Sequence, residues 1–131
     1  MTGKPGDWVT ASYKTGIYIG QVVEWNEAKQ KAAVEVKAVV KHPDQGNLHQ
    51  PGRADVAFFH QRKALAQREI AWMPLDTLLP YEGEAPDYRD SLRLAVDRQK
   101  AELKELAEER AAYAAKALHE LEDLERDYFG S

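Results

Sequence analysis

The 131-residue chain contains no cysteine, which excludes disulfides, thiolate metal sites and a cysteine nucleophile. Its opening, MTGKPGDWVTASYKTG, has no apolar run long enough for a signal-peptide core or a membrane span, so a cytoplasmic protein is expected. Concentrated positive charge is also lacking. Up to Pro80 there are ten Lys+Arg against eight Asp+Glu, net +2, and from Tyr81 onward eight against fourteen, net −6. Such a weakly basic head lacks the concentrated Lys and Arg of a phosphate-backbone footprint, which makes nucleic acid a poor default partner. Glycine and proline are absent from Asp87 to Phe129. What is present, 44% hydrophobic residues, suffices for one modest core.

The first 80 residues read as short strands. Trp8 to Tyr13 (WVTASY) and Ile17 to Trp25 (IYIGQVVEW) are rich in β-branched and aromatic residues, and Lys14-Thr15-Gly16 between them supplies a turn. A hairpin is predicted, with Gly16 free to adopt positive φ. Ala32 to Lys41 places Val34 and Val36 opposite Glu35 and Lys37, the alternation of a half-buried strand. Asp55 to Phe59 and Arg68 to Met73 read as two further strands, Gln61 to Ala66 as a turn or continuation, and Pro74 as a stop. Leu75 to Leu79 can form one helical turn before Pro80. The expected fold is mainly β with a helical tail: a small SH3-like β-barrel, or an OB-like pseudobarrel as alternative, followed by a long C-terminal helix or helical hairpin.

The tail is helical by composition, with Pro86 where a helix can begin and Gly130 where one can end. Leu92, Val96, Leu103, Leu106, Tyr113, Ala117, Leu121, Leu124 and Tyr128 form one apolar stripe, interrupted by Gln99 and Arg110. A single straight helix would run roughly 65 Å, about twice the width of an 80-residue head. Either the helix breaks near Glu108 to Ala115 and folds back, or a second copy covers the stripe as a homodimer. A domain boundary is drawn between residues 82 and 83, and the head is expected to fold without the tail.

The segment Lys41 to Glu69, KHPDQGNLHQPGRADVAFFHQRKALAQRE, follows neither helix nor strand periodicity. It carries three of the four histidines, and its candidate partner-binding residues are His42, Gln45, His49, His60 and Arg62. His42, His49 and His60 with Asp44 and Asp55 could be written as a metal site, but no pair stands at HxH or HExxH spacing. The plainer reading is that the imidazoles hydrogen-bond the loop against the barrel. Arg62 could offer a forked donor to a carboxylate or phosphate on a partner. Ser12, Ser91 and Ser131 lack nucleophile-elbow context, so no enzyme, cofactor or small-molecule substrate is expected. The strand aromatics, Trp8, Tyr13, Tyr18, Trp25, Phe58, Phe59 and Trp72, read first as core, with Tyr13 and Tyr18 the one pair nominated for a surface cage.

These residues also carry a resemblance. Lys41-His42-Pro43 with Gln45-Gly46 and Leu48-His49, then Phe58-Phe59-His60 with Arg62-Lys63-Ala64-Leu65-Ala66 and Arg68-Glu69, then Pro80-Tyr81-Glu82-Gly83-Glu84 with Pro86-Asp87-Tyr88, resemble the kinase-associated protein B family of spore-forming bacteria. The opening Tyr-Lys-Thr-Gly-x-Tyr-x-Gly pattern at Tyr13 to Gly20 is similar too. The resemblance implies a non-enzymatic auxiliary protein of SH3-like fold, associated with a membrane sensor histidine kinase of the sporulation phosphorelay whose activation or expression it supports. Family members are also labelled lipoproteins, yet lipid attachment needs a cysteine after a hydrophobic leader and this sequence shows neither. The expectation is therefore a cytoplasmic regulator, or one peripheral at the membrane through its kinase partner, without a lipid anchor. An SH3-like barrel binding nucleic acid or a peptide tail is the alternative.

Overall fold

The computed structural model describes residues 3–46, 54, 59–106 and 110–130. Five antiparallel strands are followed by two helices: β1 (Trp8–Tyr13), β2 (Gly16–Asn26), β3 (Lys31–Lys41), β4 (Ile70–Pro74), a 3₁₀ turn (Leu75–Thr77), β5 (Leu79–Pro80), α1 (Tyr88–Lys104) and α2 (Ala111–Phe129). The sheet order is β4-β3-β2-β1-β5. The sheet curls enough to bring β1 against β4, two strands that share no ladder.

The predicted hairpin is present, with Tyr13 paired to Gly16. The left-handed residue in its turn is Lys14 (φ 53), not Gly16. Gly16 is needed for space, since a Cβ there would fall 2.6 Å from the Tyr18 hydroxyl. β2 and β3 form the longest ladder, with register shifts after Ile17, Ile19 and Val22 that bend the strands as bulges do. At Gly20 a Cβ would lie 2.3 Å from the Glu35 carbonyl oxygen, so the close approach at that bend requires glycine. The expected strand over Asp55 to Phe59 lies outside the described residues apart from Phe59, which is irregular, as are Gln61 to Ala66.

β3 pairs with β4 only over Lys31 to Glu35. Beyond that point its edge would expose unpaired backbone groups. The loop and α1 satisfy them instead: the Val36 N–H donates to Glu69 O at 2.9 Å, Val36 O accepts from the Arg68 N–H at 2.8 Å, and the Val39 N–H donates to Ser91 Oγ at 2.9 Å.

The tail breaks into a hairpin. Asp87, one residue after Pro86, caps α1 by accepting from the Asp90 N–H at 3.1 Å, and Gly130 (φ 73) closes α2. The break falls between Lys104 and Ala111. The stripe is covered within the chain: Leu92, Val96, Leu103, Ala117 and Leu121 join Val9, Tyr18, Val34, Val36 and Met73 in one continuous core. Composition therefore separates the sheet from the helices at residues 82 and 83, but the apolar core crosses that line. Arg93 and Lys100 on α1 both pair with Glu125 on α2, the latter at 2.9 Å. The Arg93 bond holds the Glu125 carboxyl below its ordinary pKa. No helix among the described residues is long and apolar enough to cross a membrane.

The aromatic residues divide. Tyr18 is core at 1% exposure, whereas Trp8 and Trp72 are 38% and 40% exposed. Trp8 pairs with Gln21 and Trp72 with Ala33 on the outer face of the sheet, where no helix covers them. Burial of Tyr18 leaves Tyr13 without a second open ring, so the two do not form a cage.

Candidate functional site

The two described stretches of the loop, residues 42–46 and 59–66, run against each other at the joint between sheet and helices. Gln45 is the rung between them. Its carboxamide nitrogen donates to Pro43 O and Arg62 O, both at 3.0 Å, and its oxygen accepts from the Arg62 N–H at 2.8 Å. The Gly46 N–H donates to His60 O at 2.9 Å, and Arg62 Nε donates back to Gly46 O at 3.2 Å. A buried side-chain amide with its donors and acceptor used in this way replaces the ladder that an irregular segment lacks.

His42 is fully buried. Its Nε2 lies 2.8 Å from the Tyr128 hydroxyl and its Nδ1 3.0 Å from Pro43 O. The Tyr128 oxygen also accepts from the Ala64 N–H at 2.9 Å. One assignment satisfies every group: Tyr128 donates to Nε2, and the neutral ring carries its proton on Nδ1 and donates to Pro43 O. Burial pushes the imidazole down to about 4 from its ordinary 6.5, so at neutral pH it is an uncharged hydrogen-bonding joint.

Three more tyrosines fasten the loop. Tyr18 on β2 accepts from the Leu65 N–H at 3.2 Å, Tyr88 on α1 donates to Leu65 O at 2.5 Å, and Tyr113 on α2 donates to Gln45 O at 2.9 Å. Burial raises the pKa of all four phenols, to about 12 for Tyr18 and Tyr88, so each keeps its proton. Gln99 completes the clasp, its amide nitrogen donating to His42 O at 2.8 Å and Pro43 O at 3.1 Å. Gln99 and the tyrosines of the tail were not among the sequence-derived site residues. The signal was there in Gln99, a buried polar residue interrupting an apolar stripe.

The sequence-derived candidates therefore fall into different settings. His42 and Gln45 are buried, Arg62 is half-buried, and His60 is exposed. His49 lies outside the described residues. Beside Arg62 the surface is polar: Gln61 donates to Asp123 Oδ2 and Lys63 pairs with Asp127, both at 2.8 Å. Among the described residues no group of three or more His, Asp or Glu side chains is placed to hold a metal ion. The arrangement clasps an irregular loop from beneath, with Gln61 and Lys63 exposed on its outer side.

Comparison with known proteins gives this architecture its context. Residues 13–129 match the family model described as "Kinase associated protein B". A Bacillus subtilis (strain 168) protein, "Kinase-associated lipoprotein B", is 46% identical over 128 residues, which cover 98% of this chain and 96% of that protein. The crystal structure of kinase-associated protein B from Bacillus cereus superposes with a TM-score of 0.77 at 35% identity, covering 97% of this chain and 98% of the other. With the matched region running from the first hairpin through the end of α2 and so including every residue of the clasp, the chain belongs to the kinase-associated protein B family.

Proposed function

We propose that this protein is a non-enzymatic auxiliary regulator that supports the activation or expression of a sporulation sensor histidine kinase through protein–protein interaction. The observation that carries this reading is the family membership over residues 13–129. The fold is consistent with it. Buried His42 and Gln45 act indirectly, by setting the loop backbone, while Arg62, His60 and, in the remainder of the loop, His49 supply the contact surface. On this reading the five-stranded part is an SH3-like small barrel serving as a scaffold, and the protein is cytoplasmic or held at the membrane by its kinase. Any homodimer through the helices must use a surface other than the covered stripe, such as that around Leu94, which is 58% exposed.

A second reading, in which the barrel binds a peptide tail, is favoured by one observation. Ile70 and Trp72, two residues apart on β4, expose apolar surface on the outer sheet face, to 55% and 40%, and exposed apolar clusters mark interaction sites. Nucleic acid is disfavoured by the head's net charge of only +2.

Recovery of native partners on the tagged full-length chain from a sporulating host tests the proposal. A sensor histidine kinase should be enriched over a control matrix, and kinase abundance measured beside kinase activity in a deletion strain separates expression from activation. Absence of any histidine kinase, with unchanged kinase level and activity in the deletion strain, contradicts the proposal.

A further inference from the structure

Where the β1–β2 turn meets the returning loop, a cleft of about 220 Å³ is lined by Tyr13, Lys14, Tyr18, Pro43, Gln61, Arg62 and Lys63. Three of these are cations and none is a carboxylate. The acids around it are already engaged, Asp44 by Lys41 at 3.0 Å, Asp123 by Gln61 and Asp127 by Lys63, both at 2.8 Å. Lys14 rests over the Tyr13 ring at 5.4 Å. Arg62 spends Nε on Gly46 O, and its remaining donors meet no carboxylate among the described residues.

Tyr18 adds an independent observation. The residue is only 1% exposed, yet it lines the cleft. The oxygen accepts from the Leu65 N–H, and the hydroxyl proton goes to no protein acceptor among the described residues. A buried donor without an acceptor is costly, and an oxyanion in the cleft would relieve that cost. Gly16 packs directly against this hydroxyl, since a Cβ there would lie 2.6 Å away.

We infer that this cleft binds a phosphoryl group carried by a protein partner, an inference that rests on reading the protein as an interaction module. A carboxylate brings one negative charge, whereas a phosphoryl group brings nearly two and three acceptor oxygens. That suits the lining of the cleft, which carries the guanidinium of Arg62 and the ammonium groups of Lys14 and Lys63. The cleft volume exceeds by several-fold the roughly 30 Å³ share of one water molecule, enough for a single tetrahedral oxyanion.

Amide NMR titration of the full chain with inorganic phosphate, against acetate at matched ionic strength, tests this without any kinase present. Saturable shifts confined to Tyr13–Tyr18 and Gln61–Lys63 are expected with phosphate alone. Arg62→Gln should weaken binding about tenfold, the size of one lost charge-assisted contact. Asp127→Asn, which releases Lys63, should tighten it about threefold. A phosphoserine peptide should displace phosphate where its unphosphorylated form does not. Linear or surface-wide shifts, equal response to acetate, indifference to Arg62→Gln in a variant of unchanged melting temperature, or failure of the phosphopeptide to compete would each overturn the inference. Because the probe is phosphate, failure here leaves the kinase reading standing, and phosphate binding without kinase recovery leaves the cleft standing.

Discussion

The hydroxyl of Tyr128, in the last turns of α2, lies 2.8 Å from Nε2 of His42, 86 residues earlier at the end of β3. With Tyr113 on Gln45 O, this contact ties the C-terminal helix to the start of the loop, and through the Ala64 N–H Tyr128 also holds the loop's return. Neither His42 nor Tyr128 faces solvent freely, and neither can be altered without stranding a buried partner.

Tyr128→Phe removes the oxygen alone and leaves His42 Nε2 and the Ala64 N–H unpaired. Unfolding in urea should show a loss of about 1–3 kcal/mol. A change under about 0.5 kcal/mol, the range of ordinary surface substitutions, would mean that the contact contributes nothing.

Acid should weaken the fold through His42. Its folded-state pKa, near 4, lies below the unfolded value of 6.5, so between these values the unfolded chain binds more protons. The contribution is complete above pH 6.5, declines as pH falls and is lost by about pH 4, with an upper size of roughly 3 kcal/mol. Stability measured across this window should fall in the wild type and be flatter in His42→Asn. Equal slopes would place the acid sensitivity elsewhere.

Removal of the helices should do more than shorten the protein. Leu92 and Val96 on α1 are buried at 5% and 0% exposure in the core shared with Val36 and Val39 of β3, and Ser91 supplies the acceptor for the Val39 N–H. A chain ending at Gly83 should lack a cooperative melting transition. A retained β-type transition would show that the head is self-sufficient, as its composition alone suggests.

Leu121 is fully buried within the chain, so Leu121→Ala should cost about 2–5 kcal/mol of stability by leaving a cavity. Light scattering with parallel urea melts checks this. A variant of native stability that differs only in oligomeric state would mean that the residue lies at a seam between copies.

Strand positions were legible where alternation was strong. Val34 and Val36 face the core opposite Glu35, and β1 to β3 end within a residue or so of their predicted bounds. β5, two residues ending on Pro80, was not foreseen, because so short a ladder carries no periodicity and proline reads as a stop. The helix break came slightly before its expected place, since without glycine or proline only packing against the sheet sets it. The loop's candidates were found by their departure from periodicity, but not which of them are buried: His42 and Gln45 are held by residues 57 to 86 positions away in sequence, and single-segment patterns do not record such distances. The outward Trp8 and Trp72 show the same limit, since a strand aromatic does not reveal which face a helix will cover.

If the clasped loop presents the partner surface, pairing kinase capture with melting temperature in wild type, Arg62→Ala and His42→Ala separates contact from support. The expected result is that Arg62→Ala loses capture at a nearly unchanged melting temperature, whereas His42→Ala melts lower and loses capture only in proportion to its unfolded fraction. Kinase capture by Arg62→Ala equal to that of the wild type, with the fold intact, would mean that the loop is not the partner surface.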